Sequence, residues 1–173
     1  VGSTKEYLEV NPFEDRPGNK YSSLHLRNGG NAYEASQVRI RDGYMQSLSK
    51  VMNIDYQAFQ PVAYYLNGKY KGLMGLRERT NKDYVEANYG LDEEDMEHME
   101  LVNESGVEAK VGTLDWYKAL VSFLENNSPG AANYFETACK YMDMDEYIDF
   151  QLFEHFIVNT DWPGNNAKIW RDK

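Results

Sequence analysis

Six residues near the C-terminus, Asp161-Trp162-Pro163-Gly164-Asn165-Asn166, combine side chains that could do chemistry at a useful spacing. An acid followed five positions later by an amide allows one group to accept a hydroxyl proton while the other holds a hard cation through its oxygen. A short tight loop lets both side chains point to one side, which phosphoryl transfer requires. Asp161 is then the base and Asn166 the Mg²⁺ ligand, with Asn165 the neighbouring competitor. The plain alternative is a helix-to-strand turn, since Pro, Gly and Asn form turns in many settings.

Such a loop needs rigid flanks. Asp143, with Glu146 three residues on, starts a capping box for a helix reaching about Val158. Its apolar residues Tyr147, Ile148, Phe150, Leu152, Phe153, Phe156 and Ile157 surround it, which predicts a helix buried in the core. A strand over Ala167–Trp170 follows the loop. Upstream, the pattern predicts a brief strand near Ser23–Arg27 and a helix over 34–52, weakened at Gly43. Asn67-Gly68 between two β-prone runs predicts a hairpin with a type I′ turn. Further helices are expected over 81–89, 113–125 and 131–141, with a strand at Met99–Asn103. Strands come first and helices later, so the fold class is α+β: a small β-rich N-terminal lobe, about 21–105, on a mainly helical lobe, about 113–173.

Phosphates need cations. Arg27 precedes Asn28-Gly29-Gly30-Asn31, whose backbone amides could approach a phosphate. Arg39, Arg41, Arg77 and Arg79 are further candidates. On the strand after the hairpin, Arg77 and Arg79 share one face and Glu78 points to the other, beside Met74 and Leu76. An acid on an apolar face requires a partner. The expected one is a cation within ion-pair reach, from Arg27 or the 34–52 helix, with Glu78 clamping a phosphate-binding group. A surface ion pair at a strand end is the alternative.

Composition narrows the classes. A chain of 173 residues with 42% hydrophobic content can bury a core. Its formal charge of −10 argues against nucleic-acid partners, whose backbones are bound by Lys and Arg. Cys139 is the single cysteine, so neither an internal disulfide nor a cysteine metal site is available. His25, His98 and His155 are too scattered to form a metal-ligand pattern. The acidic run 92–97 reads as a solvated loop. No apolar run approaches the ~20 residues of a membrane span. With 28 acids in the chain, finding some pair of carboxylates supports no glycosidase reading.

The five-residue offset of Asp161 and Asn166 is also that of a protein-kinase catalytic loop. Four segments resemble the kinase-like family named after spore-coat protein H (CotH). They are Leu24-His-Leu-Arg-Asn-Gly-Gly-Asn31, Arg41-Asp-Gly-Tyr-Met-Gln-Ser-Leu48, Tyr64-Tyr-Leu-Asn-Gly-Lys-Tyr-Lys-Gly-Leu-Met-Gly-Leu-Arg-Glu-Arg79 and Asn159-Thr-Asp-Trp-Pro-Gly-Asn-Asn166. They occur in the family's order across most of residues 21–171. The resemblance implies a single atypical protein-kinase-like domain using ATP and Mg²⁺ to phosphorylate Ser or Thr of partner proteins. It also implies an extracytoplasmic or spore-surface location. The alternative is a non-catalytic pseudokinase or surface adaptor binding protein or carbohydrate. Family members carry an acidic motif soon after the Trp-Arg run, whereas this sequence ends at Trp170-Arg171-Asp172-Lys173. The expectation is therefore a fragment lacking the C-terminal part, with Asp172 too close to serve as the second metal acid, so that residues 1–173 alone turn over no ATP and bind Mg²⁺–ATP weakly.

Overall fold

The computed structural model describes residues 7–16, 20–29, 40–102, 106–160, 162 and 165–173. It is a mixed α+β structure in two compact units. The first comprises residues 1–51 and 55–91, the second residues 52–54 and 92–173.

In the first unit, β1 (Leu8–Glu9) pairs with β2 (Lys20–Tyr21). A second antiparallel sheet has the order β3 (Leu24–Arg27), β5 (Lys69–Glu78), β4 (Phe59–Leu66). The turn joining β4 to β5 has positive φ at both Asn67 (50°) and Gly68 (75°), the conformation the Asn-Gly pair predicts. Helix α1 (Arg41–Leu48) continues into a 3₁₀ turn at Ser49–Val51. The earlier part of the helix expected over 34–52 lies outside the described residues. Helix α2 (Lys82–Tyr89) begins at Asn81, whose side chain accepts from the Tyr84 amide at 3.2 Å. It ends at left-handed Gly90. The core of this unit holds Phe13, Tyr21 and Ala58, with Leu24 and Leu76 against them. Phe13 and Tyr21 meet edge to face, their ring centroids 5.8 Å apart.

Helix α1 runs through Gly43 without a break, and the glycine has a packing role. It makes room for a ring. A Cβ there would lie 2.4 Å from the Phe59 ring, and one on Gly75 would lie 2.6 Å from it. Two glycines thus bracket one aromatic ring and let α1 lie close on the sheet.

In the second unit, β6 (Met96–Val102) is the central strand, flanked by β7 (Gly106–Val111) and β8 (Lys168–Asp172). Strand β6 starts earlier than the expected Met99, and β7 was not foreseen. Glu97 is accordingly buried, although the acidic run containing it was read as solvated. Only Asp92–Asp95 fit that description. Helices α3 (Asp115–Asn126), α4 (Tyr134–Ala138) and α5 (Met144–Phe156) follow the β6–β7 hairpin. Helix α4 is far shorter than the 131–141 expected. The Asp143 cap is present, its carboxylate accepting from the amides of Asp145 and Glu146, both at 3.0 Å.

The expectation of a fully buried α5 is corrected. Phe153 is buried, but Leu152 and Phe156 are 59% and 75% exposed, and Tyr147 and Ile148 also reach solvent. A three-stranded sheet and two short helices do not offer enough surface to cover a helix that is apolar all round. Among the described residues no helix is long and apolar enough to cross a membrane.

Candidate functional site

The loop after α5 is tied down at both ends. Beyond Phe156 the chain turns through Val158, which has a positive φ of 55°. The Asn159 amide donates back to the Glu154 carbonyl at 3.1 Å, and the Asn159 side-chain amide donates to the Glu154 carboxylate at 2.6 Å. Trp162 is half-buried and packs edge-on against Phe150 and His155 of α5, at 6.0 and 5.6 Å between centroids. At the far end the Leu101 amide donates to the Ala167 carbonyl at 2.8 Å, and β8 then pairs with β6 in antiparallel register. The strand expected over 167–170 thus finds a partner in β6. Asn166 is exposed in a left-handed conformation, φ 60°, which Asn tolerates better than most residues. Asp161, Pro163 and Gly164 lie outside the described residues.

A separate cluster of cations, within the first unit, is built on the β3–β5–β4 sheet and α1. Antiparallel register sets Arg27 opposite Gly75 and Phe59 opposite Arg77, so both arginines share the face that α1 covers. Asp42 of α1 accepts from both: Arg77 Nη1 lies 2.5 Å and Arg27 Nη1 3.2 Å from its Oδ2. Arg27 is exposed, whereas Arg77 is only 3% exposed. The Nε and Nη2 atoms of Arg77 are sealed from solvent and find no hydrogen-bond partner among the described residues.

Glu78 points the other way and is equally buried. Its partner is Arg16, with Nε 2.8 Å from Glu78 Oε2, and not Arg27 or a residue of the 34–52 helix. The same carboxylate oxygen accepts from the Ala58 amide at 2.9 Å. The Arg16 guanidinium lies 4.1 Å from the centre of the Tyr56 ring and donates to the Tyr56 carbonyl at 2.5 Å. Burial would lower the Arg16 pKa, but Glu78, Tyr84 and Tyr56 together more than offset it and the pKa rises. Tyr84, beside this pair, is held protonated above its ordinary pKa, chiefly by burial. Nothing in the loop-rich sequence before residue 33 marked Arg16. Its pairing with Glu78 spans 62 residues and follows from the fold alone.

In the second unit, Glu97 Oε2 accepts from Arg171 Nε at 3.0 Å, and its other oxygen accepts from the Thr113 hydroxyl at 3.2 Å. Arg171 in turn sits 5.5 Å from the Trp116 ring centre. This ion pair links β8 to β6 near the end of β8 away from the loop.

Asn166 offers an amide oxygen, a donor type that suits Mg²⁺. Among the described residues no group of three His, Cys, Asp or Glu could hold a metal ion. The buried, unpaired edge of Arg77 suits an oxyanion such as a phosphate. Comparison with curated proteins and with solved structures gives no match. The family model described as CotH kinase protein matches residues 4–173. The chain therefore belongs to the CotH kinase family.

Proposed function

We propose that the protein is an ATP- and Mg²⁺-dependent kinase that transfers phosphate to Ser or Thr hydroxyls of partner proteins. Family membership supports this reading, and so does a short loop anchored by Trp162 at one end and Ala167 at the other. Catalysis by positioning needs that kind of anchorage. In this reading Asp161 takes the proton of the acceptor hydroxyl. The hydroxyl oxygen bonds to the γ-phosphorus as the bond to the ADP oxygen breaks. Asn166 would hold the metal, which neutralises charge on the phosphate oxygens when bound. Arg27 supplies a cation near the phosphates, and Glu78, paired with Arg16 on the other face of β5, fixes the sheet that carries it. We read the two compact units as the two lobes of such a kinase, with β6 and β7 belonging to the second and not, as expected, to the β-rich first. The family points to an extracytoplasmic or spore-surface setting.

The exposed Tyr147, Ile148, Leu152 and Phe156 of α5 favour a second reading, a non-catalytic adaptor that binds a protein through this apolar surface. Transfer of labelled phosphate from ATP separates the two. In the full-length protein, Asp161→Ala should abolish transfer and leave the thermal midpoint unchanged, while Asn166→Ala should weaken metal-dependent ATP binding. Full transfer by both variants would reject the site. An adaptor would bind its protein partner equally well with either substitution.

A further inference from the structure

Arg77 is the most unusual polar side chain in the first unit. Buried guanidinium groups normally have their N–H donors satisfied, because an unpaired donor sealed from water costs free energy. Here Nη1 is used by Asp42, while Nε and Nη2 are buried and unpaired. Those two atoms form the side-on edge of the guanidinium, the parallel pair of donors that matches two oxygens of one carboxylate or phosphate. Asp42 does not cancel the charge of this corner. It is shared by Arg27 and Arg77, so the trio carries two positive charges against one negative. The side chains of Arg27 and Asp42 are 47% and 54% exposed, so the corner borders solvent next to the sealed edge.

We propose that the Nε–Nη2 edge of Arg77 is a phosphoryl-oxyanion fork, oriented by Asp42 and flanked by Arg27. The oxyanion accepts both N–H groups and so satisfies donors that water does not reach. That the phosphate belongs to a nucleotide rests on the kinase reading above; the fork itself does not. Glu78 and Arg16 are excluded from this contact, because each already satisfies the other on the opposite face of the sheet.

Pyrophosphate and ATP serve as probes, each titrated by calorimetry and followed by thermal melting. Pyrophosphate should bind the wild-type chain saturably and raise its thermal midpoint. Arg77→Met should weaken that binding roughly 10- to 100-fold, as expected for loss of a pair of charge-assisted hydrogen bonds. Its midpoint without ligand should stay the same or rise, since two buried donors without partners have been removed and the exposed Asp42 keeps Arg27. A purely structural arginine would do the reverse, lowering the midpoint and leaving pyrophosphate affinity intact. Should Arg77→Met not fold, Arg77→Lys keeps the charge but lacks the fork, and the same loss of affinity is expected. No binding by wild type, or unchanged affinity in these variants, overturns the fork. If pyrophosphate binds through Arg77 but ATP does not compete, the fork stands and the nucleotide reading falls. If ATP binds wild type and Arg77→Met equally, the nucleotide reading stands and the fork falls.

Discussion

Arg77 and Glu78 are neighbours in the chain and face opposite sides of β5, as alternation along a strand requires. That alternation is legible in the sequence, and so is the need of Glu78 for a cation. The identity of the cation is not, because Arg16 is reached only once β1, β2 and the Tyr56 segment have packed. Glu78 is buried and the Arg16 side chain is only 11% exposed, so removing one partner leaves the other charge poorly compensated. Glu78→Ala should cost about 3 kcal/mol of stability in urea unfolding; a loss below about 1 kcal/mol would mean the pair is solvated in solution. His98 gives a second test at this scale. Burial, aided by Lys168, holds its pKa below the ordinary 6.5, so the folded state favours the neutral ring. Its contribution is therefore undiminished above pH 6.5 and is lost as the pH falls from there towards the lowered folded value. Wild type should lose more thermal stability than His98→Gln between pH 7 and pH 5, and equal losses would contradict a buried neutral histidine.

Among the elements, the most specific packing device is a ring held between two glycines. Helix propensity alone would make Gly43→Ala stabilising by about 1 kcal/mol. The new Cβ would meet the Phe59 ring at 2.4 Å, however, and overpacking of this kind costs about 1–3 kcal/mol. Net destabilisation is expected in chemical unfolding, and a more stable variant would contradict the close approach of α1 to the sheet. Sequence shows Gly43 only as a weak point in a helix, because the ring it accommodates comes from a strand 16 residues on. The β4–β5 hairpin was fully legible, since Asn67-Gly68 specifies its turn locally. Strand β7 was not: Glu108 and Lys110 interrupt a short segment whose pairing with β6 is settled by long-range register. Glu97 was misread for the same reason, as the buried position of β6 overrides the acidic run that contains it.

For the molecule as a whole, the α+β class and the family were both readable in advance, the one from the order of patterns and the other from four segments. Exposure of α5 was not, because an all-round apolar pattern states what a helix could bury and not how much surface its unit offers. The chain's charge of −10 makes its positive corners the more informative: Arg27 and Arg77 share one carboxylate in a protein with ten more acids than bases. The proposed function requires that ATP bind through a metal held by Asn166. The most direct measurement is calorimetric titration of ATP, with and without Mg²⁺, into wild type and Asn166→Ala. Binding should require Mg²⁺ in the wild type and weaken at least about tenfold in the variant, the loss expected for one charge-assisted contact. ATP binding that is indifferent to both Mg²⁺ and Asn166 would contradict the assignment of this loop as a phosphoryl-transfer site.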